Sequence, residues 1–248
     1  MSGEEIVIDQ RLILLRRHWR PNSQAGHKTA ALPDERPKLT IAISREAGAP
    51  GPEVAEELGK QLDWPVYDRE ILDIISKQSG LRTELLSTID EHVPHWLQET
   101  IVSFGHPGQL SSAGYFKHLK RILATLATHG NCIIVGRGAT ALLPAETTLK
   151  IRIIEPFKTR RARIARQCHL SEKEADKRTR QIDLERKRFI ENHFHACIND
   201  PHGFDLTLNT ALISPVQCAD FILPLVRMRQ QARVSPPSKG AATAENIR

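Results

Sequence analysis

Short apolar runs alternate with longer amphipathic segments along most of this chain, the pattern of strand–helix repeats. Leu39-Thr-Ile-Ala-Ile-Ser44 reads as a strand over 38–44, and after a glycine-containing turn the spacing predicts a helix over 53–63. Pro65-Val-Tyr67 predicts a short strand, and helical spacing follows from Asp68 through Ser79 and from Arg82 to Ser103. Residues 104–113, rich in Gly, Pro and Ser, read as a loop. A helix then runs to His129, before a second buried strand at Asn131-Cys-Ile-Ile-Val135. Thr148-Leu-Lys-Ile-Arg-Ile-Ile154 predicts another strand that stops at Glu155-Pro156. Phe157–Gln167 and Ser171–His193 predict strongly charged helices, Asp205–Asn209 a last strand, and a further helix begins around Pro215.

Apolar strands separated by helices predict a three-layer α/β fold, a parallel sheet covered on both faces. In such sheets ligands sit beyond the carboxyl ends of the strands. Residues 1–37 read as a partly flexible extension, in which Leu12-Ile-Leu-Leu15 packs on the domain or binds a partner. The main domain is expected over 38–228, and 229–248, with Pro236, Pro237 and Gly240, as a disordered tail.

Composition narrows the function classes. At 248 residues, 40% hydrophobic and 26% charged, the chain can bury one core plus a small lid, as ordinary soluble globular proteins do. The net charge of +6 favours anionic partners. Small phosphorylated ligands fit that charge as well as nucleic acid does, but aromatics make up only 5% and are not interleaved with basic residues, so nucleic acid is an unfavoured partner. Cys132, Cys168, Cys197 and Cys218 form no C-x-x-C pair, and a reduced cytoplasm is their simplest setting. The His193, His195, Cys197 and His202 spacing matches no standard zinc site, and no metal ligand set is assigned. No apolar run approaches the roughly 20 residues that span a bilayer.

Three segments fall where a ligand would sit. Ser44-Arg-Glu-Ala-Gly48-Ala-Pro-Gly51-Pro52 joins the first strand to a helix, and Gly48 and Gly51 would let a phosphate approach the backbone. The strict Gly-x-x-x-x-Gly-Lys-Ser/Thr pattern is absent, and Pro50 and Pro52 each remove an N–H donor. Asp68 suits a helix N-cap, while Arg69 beside it could clamp a phosphate or remain solvated. Arg137, between Gly136 and Gly138 after a buried strand, fits a phosphate clamp better than a solvated arginine. The charged helices carry Arg161, Arg163, Arg186 and Arg188, which either pair with neighbouring acids or supply the mobile positive charge that phosphoryl transfer needs.

Ile41-Ala-Ile-Ser-Arg-Glu-Ala-Gly48, Tyr67-Asp-Arg-Glu70, Ile134-Val-Gly-Arg-Gly-Ala139, Asp183-x-x-Arg-x-Arg-Phe189 and Asp205-Leu-Thr-Leu-Asn-Thr210 occur in this order. Together they resemble the cytidylate kinase-like family of nucleoside monophosphate kinases over roughly residues 38–225. The resemblance implies a P-loop kinase-like fold, ATP and Mg2+, a monophosphate acceptor, most plausibly CMP or dCMP, and an arginine-bearing lid over about 157–200. By the same resemblance Ser44, Arg45, Gly48 and Gly51 belong to the donor loop, and Asp68, Arg69, Gly136, Arg137 and Gly138 to the acceptor side. Arg161, Arg163, Arg186 and Arg188 are then lid candidates, with Asp183 orienting Arg186 or positioning the acceptor. Members of that family look like Ser-Arg-Glu-Tyr-Gly-Ser-Gly-Gly-Arg-Glu at the loop, so Ala47, Pro50 and Pro52 are departures. They leave two expectations open: an enzyme transferring the ATP γ-phosphate, or a catalytically impaired nucleotide- or phospholigand-binding regulatory module. A nucleic-acid-binding accessory protein is the weaker third.

Overall fold

A computed structural model describes Leu15, His18, Trp19, residues 38–86 and residues 112–234. Its elements are β1 (Thr40–Arg45), α1 (Gly51–Leu62), β2 (Val66–Tyr67), α2 (Arg69–Lys77), α3 (Ser79–Leu86), α4 (Ser112–His129), β3 (Cys132–Val135), α5 (Ala139–Leu142), β4 (Thr148–Ile154), α6 (Phe157–Cys168), α7 (Glu172–Phe194), β5 (Leu206–Asn209) and α8 (Pro215–Val234). Among the described residues the strands form one parallel sheet in the order β2-β3-β1-β4-β5.

The strand pleat explains the layering. Ile41 and Ile43 of β1, with Ile133 and Val135 of β3, face a core completed by Val54 and Leu58 of α1 and Ile222 and Val226 of α8. Ala42, Cys132 and Ile134 face the other way, onto Ile71 and Ile75 of α2 and Leu119 and Leu123 of α4. Each fully buried large side chain contributes about 1.5–3 kcal/mol of transfer free energy. Local signals set the helix ends. Asp68 accepts from the Ile71 N–H at 3.0 Å and starts α2. Ser171 and Glu174 form a reciprocal capping box that starts α7.

The extension is tied down where it is described. Leu15 and Trp19 are buried in the α2/α4 core. Trp19 Nε1 donates to Tyr67 Oη at 2.8 Å, and the His18 ring bridges Tyr67 Oη, at 3.0 Å, and the Gly130 carbonyl, at 2.8 Å. At the other end α8 continues through Val234, past the tail boundary expected at 229, because Arg229-Gln-Gln-Ala-Arg233 contains no helix breaker and the prolines come later. The expected helix to Ser103 and the loop after it lie beyond residue 86 largely outside the described residues, but Ser112 and Ala113 already belong to α4.

The His18–His129 ring pair, 5.6 Å apart, makes this region sensitive to acid. Burial lowers the His18 pKa, with Lys38 acting in the same direction, and burial, His18 and Lys38 push His129 down to about 4. A histidine whose folded pKa lies below its unfolded 6.5 contributes full stability above pH 6.5 and loses it as pH falls. The denaturation midpoint should therefore drop between about pH 6.5 and 4, and His129→Gln should flatten that slope. A midpoint in both proteins that is level over this range would show that the pair carries no such linkage.

Candidate active site

The loop after β1 is gripped by α6 and α7. Gly48 adopts a left-handed φ of +77°, and a Cβ there would lie 2.7 Å from the Arg160 carbonyl, so only glycine fits under α6. Ala47 and Ala49 are buried, and Ala47 packs against Ile164 and Ala175. The Ala47 N–H donates to Asp183 Oδ1 at 2.7 Å, and Gly51 N donates to the Ala49 carbonyl at 2.8 Å. Arg160 ties the assembly together: it donates to Asp183 Oδ2 at 2.8 Å, to the Ala47 carbonyl at 3.0 Å and to the Glu155 carbonyl at 2.8 Å, and lies 3.2 Å from the Glu46 carboxylate. Arg163 donates to the Gly48 carbonyl and pairs with both oxygens of the buried Glu155 carboxylate. The charged helices are thus clasped onto the loop.

Beside the loop lies a cavity of about 400 Å3 at the carboxyl ends of β1 and β3, walled by α7. Five arginines reach it, Arg45, Arg69, Arg137, Arg178 and Arg186, against one acidic lining residue, Glu185. Two glycines make room. A Cβ on Gly136 would overlap the Arg45 guanidinium, and one on Gly138 would overlap the Phe194 ring. Arg137, itself at φ +53°, pairs with Asp73, which also accepts from Tyr115 Oη at 2.6 Å. Burial, then that hydrogen bond, push the Tyr115 hydroxyl up to about 12, so it stays protonated and keeps Asp73 in place. Arg69 Nε lies 3.9 Å from the same carboxylate. Ile182, Phe189, Ile190 and Ile198 supply an apolar wall.

The charge balance of this cavity is the informative quantity. Among the described residues no carboxylate forms an ion pair with Arg45, Arg178 or Arg186. Arg186 donates to the Arg45 carbonyl at 3.0 Å. Burial, then the Arg186, Arg137 and Arg69 guanidiniums, pull the Arg45 pKa down to about 9. Burial likewise lowers that of Arg186. Crowded, half-buried cations of one sign are destabilising unless an anion joins them.

The residues singled out in the sequence divide accordingly. Arg69, Gly136, Arg137, Gly138 and Arg186 line the cavity, as do Ser44 and Arg45, whose side chain turns away from the loop toward Gly136. Asp68 caps α2, and Gly51 opens α1 against the Arg45 stem. Asp183 and Arg163 hold the loop, Arg161 pairs with Glu172 and lies 3.8 Å from Asp176, and Arg188 is exposed; none of Arg161, Arg163 and Arg188 lines the cavity. Asp73, Tyr115, Arg152, Glu155, Arg160 and Arg178 were not singled out, and the site depends on them. Among the described residues no helix is long and apolar enough to cross a membrane, and no three metal-ligating side chains cluster.

A parallel sheet with its central strand feeding a glycine loop, and an arginine-lined hollow beside it, give the chain a P-loop kinase-like fold. The chain belongs to the cytidylate kinase-like family, whose model matches residues 40–212. Among solved structures it is similar to an uncharacterized protein from Eubacterium ventriosum, at 20% identity and a TM-score of 0.60, over 77% of this chain and 99% of that one. It also aligns with a shikimate kinase from Bacteroides thetaiotaomicron, at 14% identity, TM-score 0.46 and 76% and 98% coverage. A shikimate kinase from Acinetobacter baumannii in complex with shikimate aligns at 15% identity, TM-score 0.43 and 78% and 95% coverage. No curated protein matches the chain.

Proposed function

We propose that this protein is a phosphotransferase whose acceptor is a nucleoside monophosphate, with CMP and dCMP first among the candidates, bound in the 400 Å3 cavity. The single observation that carries this reading is the convergence of Arg45, Arg69, Arg137 and Arg186 without enough carboxylates to neutralise them. A phosphate dianion would relieve their repulsion and accept several charge-assisted hydrogen bonds. The buried Arg137 Nε, which finds no acceptor among the described residues, is one available donor. A pyrimidine ring fits the apolar wall of Phe189, Ile182 and Ile190, in a volume within the usual range for small-ligand sites.

The donor side fits less well. In this arrangement the Ala47 N–H is held by Asp183 and the Gly48 carbonyl by Arg163, so an ATP triphosphate has no open cradle until α6 and α7 withdraw. Ser44 Oγ accepts from Arg152 at 2.7 Å among cations, a poor setting for Mg2+. The clasped loop, together with Pro50, favours a second reading: a regulatory module that binds a phosphorylated ligand without transferring phosphate.

Calorimetric titration with CMP and with ATP, alongside an ADP-release assay over CMP, dCMP, UMP and AMP, tests the proposal. CMP binding and turnover are expected. Arg137→Ala should weaken CMP binding by about 10–100-fold, the usual effect of losing a charged hydrogen-bonding pair. CMP binding without turnover of any acceptor would establish the regulatory module, and unchanged affinity in Arg137→Ala would displace the phosphate from this cavity.

A further inference from the structure

The last helix, α8, is apolar on two faces. Cys218, Ala219, Ile222 and Val226 belong to the core that it shares with α1, as the inner stripe of a surface helix requires. Its outward face is not the polar one expected of such a helix. Of the five exposed large hydrophobic side chains among the described residues, four lie on α8 or just before it. They are Leu212, Val216, Phe221 and Met228, the last two 57% and 62% exposed. Single exposed apolar residues are ordinary, but four on one segment make a patch. A helix apolar on both faces is the kind that is covered on both.

The order of residues on that face shows what fits it. Gln217, Phe221, Pro224, Met228 and Gln231 recur at alternating steps of four and three, so they form one stripe along the helix. The stripe reads alike in both directions, with a glutamine at each end, a large apolar side chain inside each, and proline at the centre. A second copy turned end for end about an axis at Pro224 meets it position for position. Phe221 of each chain then lies against Met228 of the other, a favourable pairing of aromatic ring and thioether.

Charge selects this orientation. Asp220 and Arg227 are exposed, stand seven residues apart and so share one flank of the stripe. Among the described residues neither forms an ion pair. Arg229, two residues further on, is already engaged: it donates to the Thr148 carbonyl at 3.3 Å and lies 3.9 Å from the Asp205 carboxylate. In an end-for-end pairing like flanks face each other, so Asp220 of each chain meets Arg227 of the other. A parallel pairing would set acid on acid and base on base.

We propose that α8 is the interface of a homodimer, in which two copies pair antiparallel through the Phe221–Met228 stripe about a two-fold axis at Pro224. A closed two-fold pairing covers the same patch on both chains and leaves none over. No residue of α8 lines the arginine-rich cavity, so the inference stands apart from what that cavity binds.

Sedimentation equilibrium of the full chain in about 50 mM salt tests it, since exposed ion pairs are screened at higher ionic strength. Wild type is expected to sediment as a dimer at micromolar concentrations. Phe221→Ser combined with Met228→Ser should weaken dimerisation at least about 100-fold, because each change falls on both chains. Asp220→Arg and Arg227→Asp each turn two attractions into two repulsions and should each weaken it about tenfold. Combining the two reversals should bring the constant back to within about threefold of wild type. All four positions are exposed, and far-UV circular dichroism checks that the variants fold. A monomer at every concentration would overturn the proposal, as would a dimer that survives the paired serine changes. A double reversal no stronger than the single ones would exclude the antiparallel arrangement. A monomer whose denaturation midpoint falls in Phe221→Ser would instead assign the face to another segment of the same chain.

Discussion

Arg45→Met is expected to make the ligand-free protein more stable and its anion binding weaker. In the folded chain the Arg45 guanidinium lies among Arg186, Arg137 and Arg69, and burial with their repulsion draws its pKa down to about 9. The sign follows from linkage. A base whose folded pKa lies below its unfolded value destabilises the fold wherever it is charged, here at every pH below about 9. Methionine keeps the stem that packs against Gly51 and removes the charge. After discounting for partial solvation, the gain is on the order of 2 kcal/mol, or roughly 4–8 °C in melting temperature for a domain of this size. The same change removes a phosphate contact worth about 1.5–3 kcal/mol, so CMP or inorganic phosphate should bind about 10–100-fold more weakly. Thermal denaturation with and without saturating phosphate measures both effects. Wild type should gain far more from phosphate than the variant. A variant that melts lower than wild type without ligand would show that Arg45 is a structural residue.

The same electrostatics explains what was legible in the sequence. The strands could be read because their apolar runs sit in a parallel sheet buried on both faces, where hydrophobicity is the whole requirement. Arg69 and Arg137 could be read because each stands two residues past the end of a strand, at the sheet's carboxyl edge. Arg152 was hidden by its own strand: in Thr148-Leu-Lys-Ile-Arg-Ile-Ile154 it looks like the polar half of an alternation. A cue was present, since a central parallel strand has no solvent-facing side and a charge within it needs a partner.

On α6 and α7 the difficulty was different. Arginines there are so frequent that identity carries little information, and only helical phase separates them. Arg178, Ile182, Glu185, Arg186 and Phe189 recur at steps of three and four and face the cavity, while Arg188 falls outside that stripe. Asp73 and Tyr115 were invisible for a further reason. Their roles exist only because α2 and α4 bring them beside Arg137, 64 residues from Asp73 in the chain. No local pattern records such a meeting.

Asp183→Ala should cause the largest loss of stability among the residues of α6 and α7. Its carboxylate accepts from the Ala47 N–H through one oxygen and from the buried Arg160 through the other, so it joins α7 to both the loop and α6. Truncation leaves a buried backbone donor without its acceptor and takes one of two carboxylates from the largely buried Arg160 guanidinium, which keeps Glu46 and two carbonyls, a cost of about 3 kcal/mol. Asp183→Asn keeps one acceptor for Ala47 but turns an NH2 donor toward Arg160 in place of the carboxylate oxygen, so somewhat less than that cost is expected. The two variants should therefore order as wild type, Asn, Ala in denaturant midpoint. Hydrogen exchange adds a local readout: the Ala47 amide should exchange faster in both variants, while the amides of β3, which lies away from the clasp, change only with global stability. If the Ala47 amide is as protected in Asp183→Ala as in the wild type, then Asp183 is not what closes the loop.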